Sequence, residues 1–478
     1  MADAVHDAQR LLELQALPLE RKIQITQARI LEWNKHYNGK IVVSFSGGKD
    51  STVLLDLVRR VAPDTRAVFS NTGLEYAEIQ RFVKSFDNVD IVTPKMRFDQ
   101  VISTYGYPLI SKEVAEAIYY ARRIRSQNGN VERERERERA EPEEESAASF
   151  TESAGAPPGT KNSLIQTSTA RNRRTALQGK MKQADWKRLE IGGADLAAYP
   201  DEQREKPADS SQRTDARNRG SSCWTYSDKV RRRYELRGFR TAGVVDGKSQ
   251  FNKEKYLPLA RDVPVLISHL CCMEMKKKPM HAYQRKNKLM PILGTMAEES
   301  RVRKQGWIRH GCNAFESKNP TSQPLSFWTG QDVLAYIVRY NIQIASVYGE
   351  VVALDEDGIE YNRETADFML QWGLPCCLHC TGCQRTGCVF CGFGFHNDKG
   401  LTRFQQLALI EPRKYEYAIG GGQWADNPYY DPTAPKMDGE WQNWNPKKIW
   451  VPSKKGLGMG KVFDMVNEIY GKDFYRYE

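Results

Sequence analysis

One stretch, Ile41-Val42-Val43-Ser44-Phe45-Ser46-Gly47-Gly48-Lys49-Asp50-Ser51-Thr52, constrains the fold of this chain more than any other. Its first residues are apolar and β-branched, the signature of a strand buried in a sheet. Thr52–Val58 then places apolar residues at helical spacing. A strand, a glycine turn and a helix start make an anion site. Backbone N–H groups at the helix N-terminus point at the anion, and the helix dipole adds to the attraction. Gly47 and Gly48 allow close approach of the backbone, and Lys49 supplies a point charge. The GxxxxGK[ST] spacing is absent, so this is not a Walker A loop.

The flanking pattern repeats. Leu19–Tyr37 reads as an amphipathic helix, Thr65–Ser70 and Val89–Val92 as strands, and Pro291–Thr295 as another. Val263–Leu270 is strand-like, and Thr329 reads as the N-cap of a helix reaching about Tyr340. Alternating strands and helices predict an α/β fold, a parallel twisted sheet with helices on both faces. Ligands of such sheets bind beyond the strand C-termini. Asn71-Thr72-Gly73 follows the second strand and so is expected to face the same ligand as Gly47.

At 478 residues the chain has room for two or three domains. Its net charge of +11 suggests an anionic partner, nucleotide or nucleic acid, without choosing between them. No membrane span or signal-peptide pattern is visible, so a cytoplasmic location and no membrane partner are expected. Residues 1–122 read as N-terminal helices and the first half of the nucleotide-binding domain. From about 123 to 222 a charge-alternating tract, Val131–Arg139, gives way to Pro, Ser, Gly and Gln with few aliphatics. That composition predicts a mostly disordered insertion. Two islands, Ala184–Ala198 and Cys223–Phe239, are expected to be ordered. Arg171, Arg173, Arg174 and Arg231–Arg233 read as solvated basic surface rather than a nucleic-acid contact. The α/β domain resumes over 223–375, a Cys-rich segment spans 376–394, and an aromatic, basic region fills 395–478.

Ten cysteines in a chain expected to be cytoplasmic point to metal or redox chemistry rather than structural disulfides. Six of them crowd into Cys376–Cys391. Cys380, Cys383, Cys388 and Cys391 have the spacing of a compact zinc site, and some of them can equally join distant thiolates around an iron–sulfur cluster. The adjacent pair Cys271-Cys272 supports the second reading, because neighbouring cysteines rarely bridge each other but can both ligate a cluster. Cys376, Cys377, Cys380 and Cys383 leave room for an additional zinc ion. Cys312 reads as a buried thiol, Cys223 as a bystander, Trp307, Trp328 and Trp372 as packing, and His379 and His396 as structural.

SGGKDS resembles the pyrophosphate loop of the ATP pyrophosphatase superfamily, which splits ATP to AMP and pyrophosphate. The wider set resembles the adenylylsulfate and phosphoadenylylsulfate reductase family, in its cluster-bearing branch. It comprises Cys271-Cys272 with Lys276 four residues after the pair, Gly387-Cys388-Val389-Phe390-Cys391, Asn71-Thr72-Gly73, Gly294–Arg303, and Trp328-Thr329-Gly330-Gln331-Asp332-Val333. The resemblance covers about Ile41–Val114 and Tyr256–Gly394 and implies an adenine nucleotide alpha hydrolase-like fold. It implies a nucleotide site formed by Ser44, Ser46, Gly47, Gly48, Lys49, Asp50, Ser51, Thr52, Asn71, Thr72, Gly73 and Gly294. The implied ligand is ATP with Mg²⁺, or a sulfonucleotide. Lys49, Asp50, Arg301 and Arg303 are the implied catalytic groups, and Cys271, Cys272, Cys388 and Cys391 the ligands of a [4Fe–4S] cluster.

Two departures from the reductase pattern matter. The reductases carry altered versions of SGGKDS, and their C-terminal nucleophilic cysteine has no counterpart in Gly392–Glu478. The chain looks like the DNA-phosphorothioation and tRNA-thiolation branches of the superfamily. That favours ATP-dependent sulfur transfer to an acceptor, nucleic acid among the candidates, with a sulfur-donor protein such as a cysteine desulfurase as partner. Sulfonucleotide reduction and a zinc-stabilised nucleic-acid-binding module are the alternatives.

Overall fold

The computed structural model describes residues 6–123, 254–432 and 444–478. All belong to one compact unit, Met1–Asn128 with Tyr226–Glu478. A second unit, Gly129–Thr225, lies outside the described residues. So do Val131–Arg139, the two islands, Arg171, Arg173, Arg174, Arg231–Arg233 and Cys223.

The chain begins with helices α1 (Ala8–Gln15) and α2 (Leu19–His36). Then β1 (Ile41–Ser44), α3 (Lys49–Val61), β2 (Arg66–Ser70), α4 (Ala77–Lys84), β3 (Val89–Val92), α5 (Phe98–Tyr105) and α6 (Lys112–Arg123) follow in alternation. After the undescribed stretch come β4 (Met290–Leu293), β5 (Asn313–Ala314) and β6 (Thr321–Ser322). The central sheet runs β3-β2-β1-β4-β6-β5, all parallel except β5. Ile41, Val42 and Val43 are buried, as a strand covered on both faces requires. Right-handed crossovers put α3 and α4 on one face, while the helix Lys278–Asn287 leading back to β4 packs against β2 and β3. This is the expected α/β architecture. It brings the loops after β1, β2, β3 and β4 to one edge.

Val263–Leu270 departs from expectation. It is extended and buried, yet it enters no sheet. Tyr107 and Ile267 form one isolated bridge, and Val265 and Trp450 another. Pro264 can donate no ladder hydrogen bond, and β4 already occupies the free side of β1.

Trp328-Thr329-Gly330-Gln331-Asp332-Val333 turns out to be a structural latch. The buried Trp328 indole donates to Thr26 Oγ1 at 2.9 Å, and Thr329 caps the helix Gly330–Arg339. Asp332 accepts from the Thr329 backbone and hydroxyl and pairs with Lys22 Nζ at 2.7 Å. Lys22 is 2% exposed, so α2 is tied to this helix by a buried ion pair. Trp307 is also core, but Trp372 is exposed and leans on Phe368, against the packing role expected for it.

Two smaller sheets complete the unit: β7 (Val351–Leu354), β8 (Glu360–Tyr361) and β9 (Cys377–Cys380), in the order β8-β7-β9, and the hairpin of β10 (Gln423–Asp426) with β11 (Lys448–Val451). The start of the Cys-rich segment is therefore a strand.

Arg122 closes the root of the undescribed stretch. Its guanidinium donates to the carbonyls of Leu259, Ala260, Val263 and Val265 and lies 4.2 Å over the Trp444 ring. Loss of solvent around the guanidinium lowers its pKa. Arg122→Ala leaves those carbonyls without donors and is expected to cost about 3–5 kcal/mol. A thermal melt checks this; an unchanged midpoint would mean that water replaces the guanidinium at no cost.

Candidate functional site

β1 delivers its last residue, Ser44, to the shared edge, and the chain turns through Phe45–Gly48 into α3. Gly47 has φ +71°, and a Cβ there would lie 2.7 Å from Val83 Cγ2 and 2.8 Å from Ile79 Cγ2. Only glycine fits, both for the backbone and for the α4 face behind it. Gly47→Ala is expected to destabilise by about 2–4 kcal/mol, from the left-handed conformation and the overpacking together, and to distort the loop. Its melting midpoint and its nucleotide affinity should fall together. A variant with wild-type values of both would refute the close fit.

The loop is internally bonded. Ser46 Oγ and Ser51 Oγ lie 3.0 Å apart, and the hydroxyls of Ser51 and Thr52 donate to Gly48 O at 2.9 and 3.0 Å. Lys49 Nζ pairs with Asp50 Oδ1 at 2.6 Å. The Lys49 backbone N–H donates to Tyr348 Oη at 3.2 Å, and that hydroxyl lies 2.5 Å from Thr386 Oγ1. Tyr348 and Thr386 thus lie over the helix N-terminus, a contact sequence reading missed because the partners are some 300 positions apart. Gly294, after β4, abuts the loop, since a Cβ there would sit 3.2 Å from Asp50 O.

The second turn is anchored from within. Asn71 Oδ1 accepts the Gly73 N–H at 3.2 Å, while the buried Glu75 accepts Thr72 N–H at 3.1 Å and Thr72 Oγ1–H at 2.7 Å. Glu75 also faces Lys276 Nζ at 3.8 Å. A buried acid immediately after Asn71-Thr72-Gly73-Leu74 was the available signal, and sequence reading passed over it.

Arg303 lies within electrostatic reach of Asp50 and Arg385. Burial, then Arg385, lowers its pKa, and Glu299 binds its Nη1. Arg301 opens the same helix and is exposed. Two residues along a helix face opposite sides, so the two arginines do not form one clamp.

The two cysteine pairs expected to share a cluster lie within electrostatic reach of one another. Cys271 and Cys272, Cys388 and Cys391 interact across the fold, although more than a hundred residues separate the pairs. The hydrogen bond between Cys271 and Cys272 pulls the two apart. It raises the Cys271 pKa and lowers that of Cys272, with Lys112 and Lys276 assisting at Cys272. Burial pushes Cys388 up to about 11 and also raises Cys391. Lys276, against its burial, is held charged by Cys388 and Glu75. Val389 N–H donates to Leu74 O at 2.8 Å, joining this segment to the turn after β2. The donor set, all thiols beside cations, fits a thiolate-ligated iron–sulfur group. Among the described residues, no three His, Cys, Asp or Glu side chains are gathered tightly enough to hold a metal ion as they stand.

The other cysteines disperse. Cys380 is buried, which raises its pKa, and Lys49 and Asp50 of the loop lie within electrostatic reach of it. Cys383 contacts Tyr76 and Gln406, Cys376 packs at the edge of the core beside Cys377, and Cys312 is buried against Trp307 as expected. His379 faces Glu360 and His396 stacks on Phe474, so both have structural neighbours.

A family model, the phosphoadenosine phosphosulfate reductase domain, matches residues 40–109 and 214–392, just over half of the chain. The chain belongs to that family. The break in the match, 110–213, overlaps the insertion expected from composition. Three curated relatives illustrate the range. An adenosine 5'-phosphosulfate reductase of Staphylococcus haemolyticus is 31% identical over 103 residues, 20% of this chain and 42% of its own. One from Bacillus cereus is 32% identical over 87 residues, 17% and 37% respectively. An uncharacterized protein of Methanocaldococcus jannaschii is 33% identical over 94 residues, 19% and 23%. The chain thus spans less than half the length of these relatives. The reductase family supplies the α/β domain that carries the loop and the four thiols. No helix among the described residues is long and apolar enough to cross a membrane.

Proposed function

We propose that this reductase-family chain uses its loop to activate an acceptor with ATP and delivers sulfur to it at the adjacent thiols. One observation carries the reading: Tyr348 accepts the Lys49 N–H through its hydroxyl and the Gly382 N–H through its carbonyl at 2.8 Å, so the Cys-rich segment that carries Cys380 packs over the phosphate-binding loop. In this scheme Lys49, the Ser46–Gly48 backbone and the Ser51 hydroxyl hold the phosphates. An acceptor atom attacks the α-phosphorus, the bond to the β-phosphate oxygen breaks, and pyrophosphate departs with the bonding electrons onto Lys49 and the helix N-terminus. In the same scheme Asp50 would exchange Lys49 for Mg²⁺, and Arg303 would neutralise charge on the bound nucleotide. Cys271, Cys272, Cys388 and Cys391 would hold a [4Fe–4S] cluster, which supplies electron transfer and sulfur handling when bound.

Sulfonucleotide reduction is the second reading, favoured by the names of the curated relatives. Product analysis separates the two. With anaerobically purified full chain, AMP and pyrophosphate formed from ATP, without sulfite from either sulfonucleotide and reduced thioredoxin, support the proposal. Robust sulfite release without pyrophosphate formation would replace it with the reductase reading.

A further inference from the structure

Beyond β3, at the same edge of the sheet but two strands away from the β1 loop, lies a cleft of about 610 Å³. That volume falls within the range of ligand sites, and suits a single nucleotide rather than a duplex. One wall comes from the loop after β3 and from α5, with Lys95, Arg97 and Asp99. The other comes from Tyr417, from Gln423 on β10 and from Lys454 just after β11. The matched family domain ends at 392, so this second wall belongs to the part of the chain that the family match does not cover.

The lining is cationic. Asp99 is its one carboxylate, and Arg97 already binds it through Nε at 3.1 Å. Among the described residues neither Lys95 nor Lys454 forms an ion pair, and both are exposed. Aromatic surface accompanies the charge. Tyr417, which lines the cleft, is 36% exposed. Cations on both walls with an exposed ring in the lining suit a single strand of nucleic acid, phosphates on the lysines and a base on the ring. The position is also apt. Phe390, between Cys388 and Cys391, touches both Phe98 and Tyr417, with ring centroids 6.0 and 6.3 Å away.

We propose that this cleft binds a nucleotidyl unit of single-stranded nucleic acid and presents that strand to the thiols behind Phe390. The inference deepens the acceptor side of the proposed function but does not need its ATP step.

The test is a fluorescence-anisotropy titration of the full chain with a labelled single-stranded oligonucleotide over a range of salt. Lys95→Glu with Lys454→Glu is expected to weaken binding at least tenfold and to reduce the salt slope by about two units. Tyr417→Ala should weaken it with the slope unchanged. A thermal melt verifies the fold, and ATP binding measured in parallel should stay at the wild-type value, which keeps failure here distinct from failure of the loop reading. Unchanged affinity in the double variant would overturn the site. Equal competition by polyglutamate would reduce it to unspecific charge, and equal competition by free AMP would overturn the strand as its ligand.

Discussion

Replacing Lys49 with alanine is expected to lower pyrophosphate release by about 10²–10³-fold, the scale of removing one preorganised donor from a developing anion. The fold should survive. Lys49 leaves only Asp50 behind, and the pair is partly exposed, with side chains 14% and 29% accessible. Such a pair contributes about 1 kcal/mol or less. The thermal shift conferred by ATP on the wild type should vanish in the variant, since a ligand stabilises only the state it binds. Pyrophosphate release at the wild-type rate would remove the loop from the reaction.

Cys272→Ser and Cys388→Ser are each expected to lose most bound iron and the visible colour of anaerobic preparations. Each also removes a link between two segments that the chain itself keeps far apart. Cluster binding is folding energy when its ligands come from distant positions, so the melting midpoint should fall with the iron. Cys377→Ser provides the control, because Cys377 is exposed at the start of β9. Full iron content in Cys388→Ser would shift the ligand set to other thiols.

The sequence disclosed what local chemistry encodes. Ile41–Val58 needed only its apolar pattern and two glycines to announce strand, turn and helix, and β1 and α3 lie where that pattern put them. Thr329 was readable as an N-cap because capping is decided within four residues. The convergence of Cys271-Cys272 with Cys388 and Cys391 was reached through resemblance, since spacing alone allowed zinc as well. Long-range partners were not legible. Nothing near Lys49 in the chain signals that Tyr348 and Thr386 lie over it, and nothing near Cys388 signals Glu75 beside it. Val263–Leu270 had the composition of a strand, but membership in a sheet depends on a vacant edge that only the topology reveals. Arg301 and Arg303 looked equivalent in a linear motif, and the helical repeat made them different.

If the nucleotide loop and the sulfur chemistry occupy one site, bound ATP must protect the thiol beside the loop. Cys380 alkylation is followed by mass spectrometry in anaerobic full chain, with and without saturating ATP and Mg²⁺, and Cys377 serves as the exposed reference. The expected result is that ATP slows Cys380 labelling severalfold, leaves Cys377 unchanged, and loses its effect in Lys49→Ala. Cys380 labelling at the same rate with and without ATP, under conditions where ATP is shown to bind, would contradict the shared site.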